Sequence, residues 1–167
     1  SSSDEMIIKK IESYKEKEKS IIKKRKTGLP TSSGGRFSCL FAGMKDFEEK
    51  AYLCALNRTF GFKPKIATAL ISHFGSASEV FSLKEEDLIM ILGPHSNYRG
   101  CFSLASVEKE AQELEKLSRE GISFIGCTEE YYPSALRQCE DAPVGLYIKS
   151  STPVGELFRP RREIAVV

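Results

Sequence analysis

A short turn in the sequence RTFGFKPKIATALISHFGS, residues 58–76, brings Gly61 close to Lys63 and Lys65. A glycine-containing turn that leads into a helix can present backbone N–H groups to a DNA phosphate, and nearby lysines add positive charge. Gly61, Lys63 and Lys65 are therefore candidate DNA-contacting residues of a helix-hairpin-helix. The usual form of that motif has a second glycine where this chain has Lys63, so a hairpin used only for packing is the favoured interpretation.

The basic cluster at residues 23–26 is a second candidate for phosphate contact. Lys23, Lys24, Arg25 and Lys26 stand in a row, and Lys and Arg bind DNA by neutralising phosphates and releasing counterions. Short charge runs are more often only solvated by water, and both interpretations stay open.

Residues 1–43, which hold this cluster, differ in composition from the rest of the chain. IIKKIESYKEKEKSIIKKRK alternates Lys and Glu, and TGLPTSSGGR after it has the composition of a linker. One interpretation is a charged helix with Ile7, Ile8, Ile11 and Tyr14 on one face. The other is a tail without a fixed structure.

Other kinds of site chemistry have little support in the sequence. The five cysteines are far apart, without a C-x-x-C pair, and the two histidines lack acidic or cysteine neighbours at metal-ligand spacing. No Ser-His-Asp arrangement, Cys-His arrangement or G-x-G-x-x-G phosphate loop is legible. We therefore expect no catalytic residues, no metal site and no cofactor, and a protein that is not an enzyme.

Length and composition describe an ordinary globular protein. The chain has 167 residues, of which 41% are hydrophobic and 29% charged, with a formal net charge of +2. It has room for one ordinary domain or two small ones, and its net charge does not by itself indicate nucleic acid. No apolar run reaches the roughly 18 residues of a membrane span, and the N-terminus lacks a secretory signal. We expect a soluble, cytoplasmic protein.

Residues 44–103 have the pattern of a small bundle of short helices. A Ser or Asp followed three residues later by Glu predicts helix starts at Asp46, Ser76 and Ser82. Glycine and proline predict where the helices end and begin, at Gly61 with Pro64, at Gly75, and at Gly93 with Pro94. The expected apolar faces are Phe47, Ala51, Cys54 and Ala55 in the first helix and Ile66, Leu70, Ile71 and Phe74 in the second.

Residues 104–167 change from a helical to a strand-like pattern. Ser103 is the predicted N-cap of a long helix that ends at Gly121. Beyond it, ISFIG and VGLYIK predict short strands, a short helix runs from Pro133 to Arg137, and EIAVV predicts a third strand. Apolar strands that alternate with helices predict a parallel α/β sheet. So few strands cannot bury both faces of a parallel sheet, and we therefore expect that the chain is cut in the middle of a domain.

The order GISFIGCTEEYYPSALRQCEDAPVGLYIKS, a spacer and REIAVV resembles the DNA-processing protein A family (DprA, also called Smf). That family has a strand, an acidic residue near a Tyr-Pro pair, a leucine, and a proline followed by a Leu-Tyr strand. The matching positions here are Tyr132, Pro133, Leu136, Pro143, Leu146 and Tyr147. HFGSASEVFSL is similar to a phrase of the family's helical domain, and the resemblance covers residues 44–167.

This resemblance implies a helical domain of the helix-hairpin-helix or SAM-like kind over residues 44–103. Over residues 104–167 it implies the start of a Rossmann-like α/β domain, cut at its first central strand, EIAVV. It further implies a protein that binds single-stranded DNA, helps load the RecA recombinase during natural transformation, and forms a homodimer at full length. The family's main DNA-binding turn follows the EIAVV strand, so we expect the present residues to bind DNA weakly or not at all.

Two other functions stay open at this point. A small helical bundle could serve as a protein-interaction module, which exposed Phe or Leu side chains on the first two helices would favour. A nucleotide-binding enzyme is suggested only by the Rossmann-like start and has no phosphate-loop pattern to support it. For the tyrosines, packing between the helices and the sheet is favoured over stacking on DNA bases.

Overall fold

A computed structural model of the chain describes residues 3–14 and 47–159. In these ranges we label the helices and strands α1 (residues 3–14), α2 (Glu49–Phe60), α3 (Pro64–Phe74), α4 (Ala77–Phe81), α5 (Glu85–Leu92), α6 (Leu104–Arg119), β1 (Ile122–Gly126), α7 (Ser134–Arg137), β2 (Gly145–Lys149) and α8 (Val154–Leu157). A 3-10 turn at Arg99–Cys101 lies between α5 and α6. The basic cluster Lys23–Lys26, Asp46 and the EIAVV sequence lie outside the described residues.

Helix α1 forms from the charged N-terminal stretch, so the interpretation as a tail without fixed structure is wrong for residues 3–14. Ile11 is buried in the main hydrophobic cluster, and Ile7 packs against that cluster. The Tyr14 ring centroid lies 5.7 Å from that of Phe74 and 6.1 Å from that of His73. An apolar stripe therefore attaches α1 to α3, as the spacing of its isoleucines and tyrosine predicts.

The helix boundaries predicted from glycine and proline are confirmed. α2 ends at Phe60, ahead of Gly61, and α3 begins at Pro64. Gly75 and Gly93 follow α3 and α5 with φ of 94° and 97°, a backbone conformation that glycine adopts without the steric cost of a Cβ. Each of these two glycines donates its N–H to a helix carbonyl at 2.8 Å, which closes the helix end.

Of the two serine caps predicted within the bundle, one is confirmed and one is wrong. Ser76 accepts the backbone N–H of Glu79 at 3.2 Å and begins α4. Ser82 instead ends α4, and its hydroxyl donates to the Glu79 carbonyl at 2.6 Å. Lys84 is the residue that precedes α5. A hydroxyl so close to the end of one helix reaches the carbonyls of that helix's last turn before it reaches the next helix.

The sequence predicted that Glu49 would take part in a capping box at the start of its own helix, but its carboxylate binds elsewhere. The residue that precedes α2 is Glu48, which makes no side-chain capping bond. The Glu49 carboxylate accepts the N–H groups of Ala77 and Ser78, at 2.5 Å and 3.2 Å. Packing of α2 against α4 brings these unpaired N–H groups within reach, and a carboxylate is favoured at a helix N-terminus.

Strands β1 and β2 pair antiparallel, which corrects the expected parallel sheet for these two strands. Ile122 lies opposite Lys149 and Gly126 opposite Gly145. The N–H of Cys127 donates to the Val144 carbonyl at 2.8 Å, which continues the ladder beyond the strand ends. A parallel pair would need a crossover connection, usually a helix of several turns. Here the connection contains only the four-residue α7, so β2 turns back alongside β1.

Helices α1 to α5 and strand β1 contribute to one buried cluster. Phe124 of β1 and Val144, just before β2, belong to the same hydrophobic cluster as Leu53 of α2 and Leu70 of α3. Helix α6 begins with the predicted cap, the hydroxyl of Ser103, and packs between α2 and β1. The hairpin α2–α3 therefore lies on a continuous core that also positions the strand-containing part of the chain.

None of the helices in the described parts of the chain has the length and apolar character that a membrane crossing requires.

Candidate nucleic-acid interface at the helical hairpin

The turn between α2 and α3 is tight. Gly61 continues the helical conformation of α2, and a Cβ placed on it would lie 2.9 Å from the Asn57 carbonyl oxygen, so a side chain there would force a shift. The N–H of Lys63 donates to the Phe60 carbonyl at 2.8 Å. Pro64, which has no N–H, then opens α3. The turn has the compact form that the glycine and proline predicted.

Phe62 projects from the tip of this turn and is completely exposed. Phe62 is not among the residues that the sequence predicted for this site. Its position in the sequence nevertheless indicates exposure. Phe62 lies between the end of one helix at Gly61 and the start of the next at Lys63–Pro64, so it belongs to neither helix and does not lie on a buried helix face. Exposed aromatic rings beside basic side chains are the usual components of surfaces that bind single-stranded nucleic acid.

Lys63 is paired with an acidic residue from the N-terminal helix α1. Its Nζ lies 2.8 Å from Oδ1 of Asp4 in α1, and 5.9 Å from the centroid of the Tyr98 ring. The Asp4 carboxylate, with a further contribution from Tyr98, raises the pKa of the Lys63 ammonium group. The ammonium is therefore positively charged, with its closest electrostatic partner already in place.

Lys65 is also paired, with two carboxylates from the segment after α7. Its Nζ lies 3.0 Å from Oε2 of Glu140 and 3.5 Å from Oδ1 of Asp141. These two carboxylates raise the pKa of Lys65. Both acidic side chains are largely exposed, so this contact is open to water and to competing ions.

The balance of charge at the hairpin tip is therefore not basic. A cavity of about 220 Å³ beside Phe62 is lined by Lys63 and Lys65, and also by Asp4, Glu5 and Asp141. The structure brings together three of the sequence-predicted residues, Gly61, Lys63 and Lys65, and adds Phe62. It gives no position for the other four, Lys23, Lys24, Arg25 and Lys26, which lie outside the described residues.

The tyrosines of the Tyr-Pro stretch have different environments. Tyr132 is buried, and its hydroxyl donates to the Pro143 carbonyl at 2.7 Å. Its ring also lies under the Arg137 guanidinium, 5.8 Å away. Tyr131 is half-exposed and packs near Gly155 at the start of α8. The prediction that this stretch is structural is confirmed for Tyr132.

A buried polar group lies where α2 packs against α6. Glu110 of α6 is buried and accepts hydrogen bonds from Nε and Nη2 of Arg58, the latter at 3.1 Å. Close by, the Tyr147 hydroxyl and the Cys54 sulfur are 3.7 Å apart. Burial raises the pKa of the Cys54 thiol to about 12, so this cysteine is protonated at neutral pH. These contacts join α2 to α6 and β2.

Potential metal ligands are scattered in the part of the chain that the structure describes. No group of three or more His, Cys, Asp or Glu side chains there could hold a metal ion. Cys127, like Cys54, has its thiol pKa raised by burial.

Comparison with known proteins gave no match of this chain to a family model, a curated protein or a solved structure.

Proposed function

We propose that this chain is the N-terminal part of a DNA-processing protein that binds single-stranded DNA and helps load RecA during natural transformation. The proposal rests on the resemblance of residues 44–167 to the DNA-processing protein A family. In this proposal the antiparallel β1–β2 pair leads into a Rossmann-like domain, since mixed sheets often carry an antiparallel strand at one edge. The full-length protein is a cytoplasmic homodimer that carries out no chemical step.

The observation that supports this assignment most directly is the contact between Tyr132 and Pro143. The resemblance depends on two separate pieces of sequence, a Tyr-Pro pair and a proline ahead of a Leu-Tyr strand. The hydrogen bond from the Tyr132 hydroxyl to the Pro143 carbonyl joins these two pieces at 2.7 Å, and Tyr147 in the following strand contacts Cys54 of α2. The pattern therefore corresponds to one physical unit that attaches the strands to the helices.

The hairpin tip is assigned a secondary part in DNA binding. Phe62 offers a ring on which a base can stack, and Lys63 and Lys65 offer charges for neighbouring phosphates. Because both lysines have carboxylate partners, the phosphates of a DNA strand must compete with those carboxylates. We therefore expect weak binding by the residues described, with the stronger share of binding in the remainder of the full-length protein.

Fluorescence anisotropy of a short labelled single strand, titrated with the chain at low and physiological salt, tests this function. We expect weak binding whose log Kd changes with log salt by about 0.7 for each phosphate contacted. The variant Lys63→Ala with Lys65→Ala should reduce both the affinity and this slope. Phe62→Ala should reduce the affinity with little change in the slope, because stacking neutralises no phosphate.

Lys109→Ala is the matched control for the lysine variants. Lys109 is an exposed lysine on α6, so its removal changes the net charge by the same amount per site without touching the hairpin. The proposal for the hairpin fails if Lys109→Ala weakens binding as much as a single hairpin lysine variant does. It fails also if no binding occurs at low salt.

The exposure of Phe62 favours one alternative, a protein-interaction module. An aromatic side chain that is completely exposed at a hairpin tip can enter an apolar pocket of a partner protein, as interface anchors do. Acidic residues around the tip would then be tolerated, because the contact is apolar. In this case the same titration shows no affinity for single strands, and Phe62→Ala has no effect on it.

A further inference from the structure

The acidic partners of the hairpin lysines come from distant parts of the chain. Asp4 and Lys63 are separated by 59 positions, and Glu140 and Lys65 by 75. Neither pair is a by-product of neighbouring residues on one helix. Both exist only because tertiary packing brings α1 to Lys63 and the segment after α7 to Lys65.

Asp4 is the better held of these acidic residues. It lies near the first turn of α1, whose other end is fixed to α3 by buried Ile11 and by the Tyr14 contacts with His73 and Phe74. The side chains of Lys63 and Asp4 are only 35% and 23% exposed, whereas those of Glu140 and Asp141 are 86% and 77% exposed. The Asp4–Lys63 pair is therefore less screened by water and salt than the pairs of Lys65.

We propose that Asp4 is a built-in competitor for the phosphate site at Lys63, so that α1 lowers the affinity of the hairpin for single-stranded DNA. This inference rests on the proposed function and specifies how that site is regulated. A carboxylate at 2.8 Å from Nζ occupies the position that a phosphate oxygen would take, because both are anionic acceptors of the same ammonium hydrogens. Bound DNA must separate the pair and return Asp4 to water.

The same reasoning predicts a difference in salt dependence. When DNA displaces Asp4 from Lys63, a counterion leaves the phosphate while the carboxylate attracts a cation, so the second effect offsets part of the first. Without a carboxylate at position 4 the offset disappears. The slope of log Kd against log salt should then be steeper by up to about 0.7, the value for one phosphate of a single strand.

Asp4→Asn tests the inference, with Glu5→Gln as its matched control. Both substitutions remove one negative charge from the first turn of α1, and both residues line the cavity beside Phe62. Of these two residues, Asp4 is the one whose carboxylate forms the ion pair with Lys63. In the anisotropy titration at low salt, we expect Asp4→Asn to bind about three- to five-fold more tightly than the unaltered chain. Glu5→Gln should change the affinity by less than about two-fold.

Each outcome decides a different part of the argument. Equal gains in Asp4→Asn and Glu5→Gln would overturn the inference in favour of a general charge effect, while leaving the proposed function in place. Salt-dependent binding that is lost in Lys63→Ala but unchanged in Asp4→Asn would likewise overturn only the inference. No binding by any variant at low salt would overturn the inference together with the proposed part of the hairpin in DNA binding. Thermal unfolding of the two α1 variants, expected to coincide, verifies that packing is preserved.

Discussion

Two ion pairs near the C-terminal end of α2 join it to distant parts of the chain in different ways. Arg58 binds Glu110 of α6 through two guanidinium nitrogens, and the Glu110 side chain is 4% exposed. Lys63, just beyond the helix, binds Asp4 of α1 through a single contact, and the Asp4 side chain is 23% exposed. The arginine fork holds a buried carboxylate in two directions, whereas the lysine holds a partly hydrated one at a point.

The difference teaches which pair is structural and which is exchangeable. An acid that is buried keeps its charge only while its partner remains, because separation would leave that charge without water or protein to solvate it. An acid at the surface can return to water at small cost. Glu110 therefore has reason to stay with Arg58, whereas Asp4 can give up Lys63 to another anion.

Arg58→Ala should have the largest effect on stability, because it leaves Glu110 buried without a partner. Loss of one member of a buried pair costs about 3–5 kcal/mol. The arginine itself is mostly exposed, so water can partly take its place and we expect about 2 kcal/mol in urea unfolding. Arg119→Ala, which breaks an exposed pair with Glu115, is the control and should cost less than about 0.5 kcal/mol. Equal losses in the two variants would contradict the comparison.

The buried thiol beside this pair predicts a loss of stability at alkaline pH. The pKa of Cys54 is raised from 9.0 to about 12 by burial, so above pH 9 the unfolded chain loses a proton that the folded chain keeps. The contribution is fully present below pH 9 and is lost as pH rises toward 12. Between about pH 8 and about pH 10, unfolding free energy should fall by roughly 1.4 kcal/mol more in the unaltered chain than in Cys54→Ala.

The corresponding measurement is urea unfolding of both proteins across this pH range. Subtracting the unfolding free energy of one protein from that of the other removes the titration of groups that both share, such as the lysines. A difference that does not change with pH would show that the Cys54 thiol titrates normally and that this side of α2 is open to water.

Tyr132→Phe should have an intermediate effect. The substitution keeps the buried ring and removes only the hydroxyl that donates to the Pro143 carbonyl, so the carbonyl loses its partner. We expect a loss of about 1 kcal/mol in unfolding free energy. Tyr131→Phe is the matched control, because Tyr131 is half-exposed and should lose almost nothing. If the two variants lose equal stability, the hydrogen bond does not join the two pieces of the Tyr-Pro pattern.

Local signals in the sequence account for most of the helix and strand positions. Helix boundaries are marked by Gly61 with Pro64, by Gly75 and by Gly93. Glycine adopts backbone angles that end a helix, and proline lacks the N–H that a helix interior requires, so these signals act locally. The pairing direction of β1 and β2 could not be obtained this way, since the apolar runs are alike in parallel and antiparallel strands. It is decided by the connection, in which α7 is too short for a crossover.

The candidate site was predicted only in part, for a related reason. Sequence spacing identified Lys63 and Lys65, but spacing has no information about residues far away in the chain. Asp4, Glu140 and Asp141 meet these lysines through tertiary packing, and Glu49 leaves its expected cap for the N-terminus of α4 in the same way. Charge at a site is a property of the fold, so a basic sequence motif does not guarantee a basic surface.

Lys63→Ala should have the smallest effect on stability and thereby separate the two pairs most clearly. The Asp4 side chain is already partly hydrated, so the midpoint of urea unfolding should match that of the unaltered chain. Affinity for a single strand should nevertheless fall, because a phosphate contact is lost. A stability loss as large as that of Arg58→Ala would show that Asp4–Lys63 is a structural lock, and a carboxylate that cannot leave the lysine could not act as a displaceable competitor.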